Sequence, residues 1–177
     1  MEILIIDVGG SHIKGLVPGH EDPRKFESGP EMTLHEMVKG ALAITDGWRF
    51  DAVSIGYPGV VRNGAAVRDP HNLGPGWVGF DFKTAFSYPV KVIQDAAMQA
   101  LGAHEGGTML FLGLGTGLGS ALIVNGVIQA MGLGHLRCGN HSALSRAGSA
   151  CGNGKTRYLN RRPHDSTRKC GVSARCG

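Results

Sequence analysis

The stretch MLFLGLGTGLGSALIVNG, Met109–Gly126, places glycine at 113, 115, 117 and 119, every second residue between two apolar runs. The dinucleotide fingerprint G-x-G-x-x-G leads from a strand into a helix. Here Gly115-Thr116-Gly117 is followed by Leu118-Gly119, and SALIVNG continues as strand, so spacing and following element both differ. A Walker loop closes on Gly-Lys-Ser/Thr, which the stretch lacks. What remains is a tight turn between strands. Its backbone amides can hold an anion without side chains, glycine lets a phosphate approach closely, and the Thr116 hydroxyl adds a donor. A ligand-free glycine hairpin is the alternative, and the stretch alone does not decide between them.

A second segment has the same logic. In IDVGGSHIKG, Ile6–Gly15, an apolar strand carries an acid near its end, turns on Gly9-Gly10, offers the Ser11 hydroxyl and returns as a strand. Asp7 could hold a hydrated Mg²⁺, an ion that favours carboxylate and keeps several waters. Lys14 could neutralise phosphate, or be a solvated strand charge. Two such hairpins, about 100 residues apart in sequence, suggest two jaws around one phosphate chain.

Between them the pattern is α/β. Strands are predicted at Glu2–Val8, Ser11–Val17, Arg24–Gly29 and Asp51–Gly59, with a helix over Met32–Trp48 presenting Leu34, Met37, Val38, Leu42 and Ile44 at helical spacing. Residues 60–89 read as loop-rich, with a short helix in FDFKTAFSY. Val90–Gln94 is a strand and Asp95–Glu105 a helix; strands flank the alternating glycines, and Asn125-Gly126 is a type I′ hairpin signal before a last strand. The order is that of a mixed sheet, not a strict βαβ series.

The 177 residues suffice for a real core. No apolar run approaches the ~18 residues of a membrane span, and no basic segment precedes the first apolar stretch, so a cytoplasmic protein without a membrane partner is expected. The net charge of +4 hides a split. Residues 1–136 hold nine Lys/Arg against thirteen Asp/Glu, a net of −4; residues 137–177 hold nine against Asp165 alone, a net of +8. Cys138, Cys151, Cys170 and Cys176 all lie in that last stretch.

Taken together, IDVGGSHIKG and LGLGTGLGSALIVNG resemble the first and second phosphate motifs of the sugar-kinase branch of the actin/hexokinase-like superfamily, specifically the ROK (repressor, open reading frame, kinase) family and within it the polyphosphate/ATP glucokinases. The resemblance covers roughly residues 2–136. It implies an actin-like ATPase (ribonuclease H-like) α/β domain, with an N-terminal lobe over 1–106, the start of a second, truncated lobe over 107–136, and an aberrant, disordered basic tail over 137–177. It implies ATP or polyphosphate as donor, Mg²⁺ as cofactor and glucose or a similar hexose as acceptor. Asp7, Gly9, Gly10, Ser11, Lys14, Gly115, Thr116 and Gly117 would hold phosphate, with Mg²⁺ at Asp7.

Asp95, at a strand-to-helix junction, would be the catalytic base; on local grounds alone a helix N-cap is the preferred reading. The family carries an Asn-Asp pair there, and this chain has Gln94-Asp95, one methylene longer. GYPGVV resembles the family's Gly-x-Pro-Gly loop and brings Gly59 to the sugar site; HNLGPGWVGFDF resembles its sugar segment, with Asn72 on a sugar hydroxyl. Trp77 is a packing or stacking aromatic, the core reading being preferred. The family's Glu-x-Gly-His motif stands here as Gly132-Leu133-Gly134-His135: His135 is kept for the sugar, and a glycine replaces the acceptor Glu. Loss of a hydrogen-bonding partner lowers discrimination, so weakened sugar affinity is expected.

Beyond Leu136 the family pattern is lost. The nearest cysteines are six apart, which argues against the zinc motif often found after the family's His. Tyr158 is the tail's only aromatic, which argues against a nucleic-acid arm. The charge inversion, sudden cysteines and lost periodicity favour an out-of-frame end, to be checked in the other two reading frames of the gene. A homodimer is expected only with a complete second lobe. A sensor or inactive sugar-binding fragment is the alternative to a kinase.

Overall fold

The computed structural model describes residues 1–70, 73–114, 118–133, 156–161 and 173–175, the last two segments as backbone strands. The chain divides into two compact units, Met1–Asp95 and Ala96–Gly177. The division falls at the start of a helix, earlier than the residue 106 expected from the family pattern.

The first unit is built on a sheet of order β3-β2-β1-β4-β7. β1 (Ile3–Val8), β2 (His12–Leu16) and β3 (Arg24–Glu27) form an antiparallel meander, while β4 (Ala52–Tyr57) and β7 (Val90–Gln94) run parallel to β1. This is the mixed sheet the motifs imply. Strict alternation along β1 buries Leu4, Ile6 and Val8 on one face and leaves Asp7 half-buried on the other. Each fully buried aliphatic side chain contributes about 1.5–3 kcal/mol, so this row is a large part of what fixes the strand's register.

Helix α1 (Leu34–Ile44) covers the apolar face. It starts at Thr33 through a capping box: the Thr33 hydroxyl accepts from the Glu36 N–H, and the Glu36 carboxylate accepts from the Thr33 N–H at 2.8 Å. The Thr33 N–H and the Thr33 hydroxyl, which also donates to that carboxylate at 2.8 Å, hold the Glu36 carboxyl below the usual carboxylate range. Thr45 caps the C-terminal end, and Gly47 (φ 79°) turns the chain away, so the helix is shorter than the predicted Met32–Trp48. Its buried face is Leu34, Met37, Val38 and Ala41; Leu42, expected inside, is 37% exposed. The last turn has no basic residue of its own. Arg24 of β3 supplies one, donating to the Ile44 and Asp46 carbonyls at 2.9 and 3.0 Å with its guanidinium 4.4 Å from the Trp48 ring centre.

The segment expected to be only loop and a short helix contains a small hairpin, β5 (Val61–Arg62) and β6 (Ala65–Ala66), turning on Asn63 (φ 51°) and Gly64 (φ 76°). The short helix α2 (Phe82–Phe86) follows, capped by Asp81. Trp77 is 1% exposed and packs against Tyr57, which bears out its core reading.

The second unit has α3 (Asp95–Ala103), whose helical run also takes in the first unit's last residue, and a second meander, β8 (Thr108–Leu114), β9 (Leu118–Val124) and β10 (Val127–Met131). Asn125 and Gly126 have φ of 51° and 76°, both positive as a type I′ turn requires. Ala96, Ala97 and Ala100 of α3 share a small core with Met109, Phe111, Ala121 and Ile123. Within the stretch expected to be disordered, β11 (Thr156–Arg161) pairs antiparallel with β8 and β12 (Ser173–Arg175) with β11. The four cysteines lie outside the described residues.

Candidate active site

β1, β4 and β7 are parallel, so the loops after all of them emerge at the same end of the sheet. Asp7 is in register with Gly56, and Gly56 with Ile93. The turn at Gly9, the bend at Gly59 and the Gln94-Asp95 junction therefore follow one another across one sheet edge. Two strand spacings separate the first from the last, roughly 10 Å. The carboxyl ends of parallel strands are where open α/β sheets bind ligands.

The first turn is closed by the Gly9 N–H donating to the His12 carbonyl at 3.1 Å. A Cβ at Gly9 would lie 2.7 Å from that carbonyl oxygen, so only glycine fits. Ser28, just after β3, donates its hydroxyl to the Gly9 carbonyl at 2.6 Å, and its N–H to the Ser11 carbonyl at 3.0 Å. No protein acceptor is found among the described residues for the Gly10 and Ser11 amides. Lys14 is exposed, lies opposite Asp7 in the β1–β2 register and makes no ion pair among the described residues. Burial raises the Asp7 carboxyl above the usual range, and the Lys14 charge partly offsets this.

At Gly59 the N–H bonds back to the Tyr57 carbonyl at 2.9 Å, and a Cβ would meet the Tyr57 ring at 2.7 Å. The excursion after it is pinned at several points. The Tyr57 hydroxyl donates to the Arg68 carbonyl. Desolvation, helped by the Asp69 charge, pushes that phenol up to about 12, so it stays a donor at neutral pH. The Asp69 carboxylate accepts from the Gly76 and Trp77 amides at 3.1 and 2.8 Å, and the Trp77 indole N–H donates to the Gly74 carbonyl at 2.9 Å. Gly74 itself donates to the Met32 carbonyl at 3.1 Å. Asn72 lies outside the described residues, within the span these bonds enclose.

β7 passes into α3 without an intervening residue. Gln94 is the last of the strand and Asp95 the first of the helix, rather than a cap before it. A helix N-terminus favours a carboxylate in its ionised form. The Gln94 Oε1 is buried and has no hydrogen-bond partner among the described residues, a vacancy that a ligand donor would fill.

Gly115, Thr116 and Gly117, like His135, lie outside the described residues. Two other glycines of that stretch have packing reasons. Gly113 and Gly119 pair across β8 and β9, and a Cβ at Gly119 would lie 3.0 Å from the Ala96 Cβ. The alternation of glycine there is partly a matter of seating α3 on the sheet. Ser120, fully buried, accepts the Leu133 N–H at 3.1 Å.

Residues 3–160 match the ROK family. The chain belongs to the ROK family. The match runs beyond residue 136, where the motifs fade. A polyphosphate glucokinase of Mycobacterium tuberculosis is 31% identical over 166 residues, covering 82% of this chain and 62% of that protein. Among solved structures, an inorganic polyphosphate/ATP-glucomannokinase from Arthrobacter sp. strain KM superposes with a TM-score of 0.70 at 27% identity, covering 82% of this chain and 68% of that one. A ROK family glucokinase from Streptomyces griseus, in complex with glucose and AMPPNP, gives a TM-score of 0.64 at 26% identity, covering 77% and 51%. This ROK chain thus has the actin-like fold of a sugar kinase and spans about 62% of the length of the curated relative it matches. No helix among its described residues is long and apolar enough to cross a membrane.

Sequence reasoning passed over Ser28 and Asp69. Each acts on backbone groups of a loop, and Ser28 is 19 residues from the carbonyl it holds, a separation that no local pattern marks.

Proposed function

We propose that this ROK chain transfers a phosphoryl group from ATP or polyphosphate to glucose or a similar hexose. The observation that carries the reading is the sequence of groups along one end of the sheet: a glycine turn with two amides, then Gly59, then the Gln94 Oε1 beside Asp95, the two amides and that oxygen having no hydrogen-bond partner among the described residues. Asp95 takes the proton from the acceptor hydroxyl as its oxygen attacks the terminal phosphorus. The bond to the bridging oxygen breaks, and ADP or a shortened polyphosphate leaves. Gln94, Asn72 and His135 hold the sugar. The Gly10 and Ser11 amides, the Ser11 hydroxyl and Lys14 hold donor phosphates, and Gly115, Thr116 and Gly117 form the second phosphate-binding segment.

Asp7 fits Mg²⁺. It is a single half-buried carboxylate whose charge is costly where it stands, and Mg²⁺ binds through one or two carboxylates plus phosphate and water. When bound, the ion would neutralise charge on the donor phosphates.

The test is glucose phosphorylation by the full chain with each donor in turn. Asp95→Asn should lower kcat by about 10²–10⁴ with glucose binding retained; unchanged turnover removes the base assignment. A sugar-binding or sensor protein without turnover is the second reading, favoured by Gly132 at the position of the family's Glu. Calorimetry showing glucose binding in a chain without kinase activity would establish it.

A further inference from the structure

We infer that Ser28 is a positioning residue for the donor phosphates, an inference resting on the phosphate-turn reading above. The Gly9–Gly10 peptide is flanked by glycine on both sides, and a peptide so placed meets little steric resistance to flipping. Its two faces are chemically opposite. In a trans peptide the C=O and the next N–H point in opposite directions, and no peptide of the chain's described residues is cis. With the Gly9 carbonyl turned onto the Ser28 hydroxyl at 2.6 Å, the Gly10 N–H points away from Ser28. The Ser28 N–H takes the Ser11 carbonyl at 3.0 Å in the same way. Carbonyl oxygens would repel a phosphate; Ser28 draws those of Gly9 and Ser11 to the β3 side, and its hydroxyl, by fixing the Gly9–Gly10 peptide, leaves the Gly10 amide for the anion. The backbone bond would survive truncation of the side chain, whereas the hydroxyl bond alone selects the peptide's orientation.

The experiment titrates inorganic tripolyphosphate into the ¹⁵N-labelled full chain, following the Gly10 and Ser11 amides, with glucose titrated separately. Ser28→Ala should weaken tripolyphosphate roughly 5- to 10-fold, the worth of one net hydrogen bond, and leave glucose affinity within about twofold. Ser28→Thr, which keeps the hydroxyl, should restore it. A structural role alone would lower the melting temperature and weaken both ligands together, which would overturn the inference. Equal tripolyphosphate affinity in Ser28→Ala, or binding that leaves the Gly10 and Ser11 amides unmoved, would overturn it as well. A wild-type chain that binds no tripolyphosphate would remove the phosphate-turn reading and this inference with it. A chain that binds tripolyphosphate and transfers nothing would remove only the kinase reading.

Discussion

Gly74→Ala tests whether the segment between Asp69 and Trp77 is held by the contacts described. An added Cβ would lie 2.6 Å from the Met32 carbonyl oxygen and 3.2 Å from its carbon, against an ordinary limit of 3.4 Å. Both neighbours are backbone, so the loop must retreat, by roughly 0.8 Å to reach normal van der Waals contact. That displacement stretches the 3.1 Å bond from the Gly74 N–H to Met32 beyond hydrogen-bonding range. It also drags the carbonyl that accepts the Trp77 indole N–H. Loss of one or two bonds at about 1 kcal/mol each is offset by ~0.4–1 kcal/mol, because alanine restricts the unfolded chain. With both bonds lost, the expected net loss is about 1–1.6 kcal/mol. Urea unfolding followed by intrinsic fluorescence measures it, since both tryptophans, Trp48 and Trp77, lie in the Met1–Asp95 unit. Gly29→Ala is the matched control: nothing lies within 4 Å of its Cβ and its φ is not in the left-handed region, so it should be neutral or stabilising. A Gly74→Ala chain as stable as wild type would refute the reasoning.

Asp7→Asn should raise the melting temperature at pH 7 while impairing donor use. The folded state holds the Asp7 proton more tightly than the unfolded chain, so its stability contribution is greatest below the ordinary Asp range and falls as pH rises through the raised value. The difference between variant and wild type should therefore shrink on titration down to pH 4, read by thermal melts. Tyr57→Phe should cost about 1 kcal/mol at neutral pH through the orphaned Arg68 carbonyl. Because the folded phenol titrates only at about 12, wild-type stability should also fall from about pH 10 towards 12, and the variant should lack that slope in urea unfolding at alkaline pH.

The elements that repeat a local rule were legible. Gly9-Gly10 and Asn125-Gly126 announced their hairpins, whereas the apolar run before Asp7 announced a buried strand and not the face on which Asp7 lies. The α1 face was misjudged by one residue because apolarity outweighed geometry: Leu42 is exposed, and the small Ala41 lies against the sheet. The hairpin at Asn63-Gly64 carried its turn signal but only two residues on each side, too few for a period. Ser28, Asp69 and Ser120 were illegible for a different reason. Their work is to bond backbone groups elsewhere in the fold, two of them in the case of Asp69, and a lone serine or aspartate carries no pattern that marks such a partner.

β3 is the sheet's outer strand, four residues long with Arg24, Lys25 and Glu27 exposed. Such margins open more readily than the interior of a sheet. Here the margin is also tied, through Arg24, to the end of α1 and, through Ser28, to the first glycine turn. Fraying of β3 and slackening of the turn are therefore a single local unfolding event. An anion seated on the turn binds only the closed form, so by mass action it lowers the population of frayed edge. If the first turn holds donor phosphate as proposed, the local stability of this edge strand should rise with donor concentration.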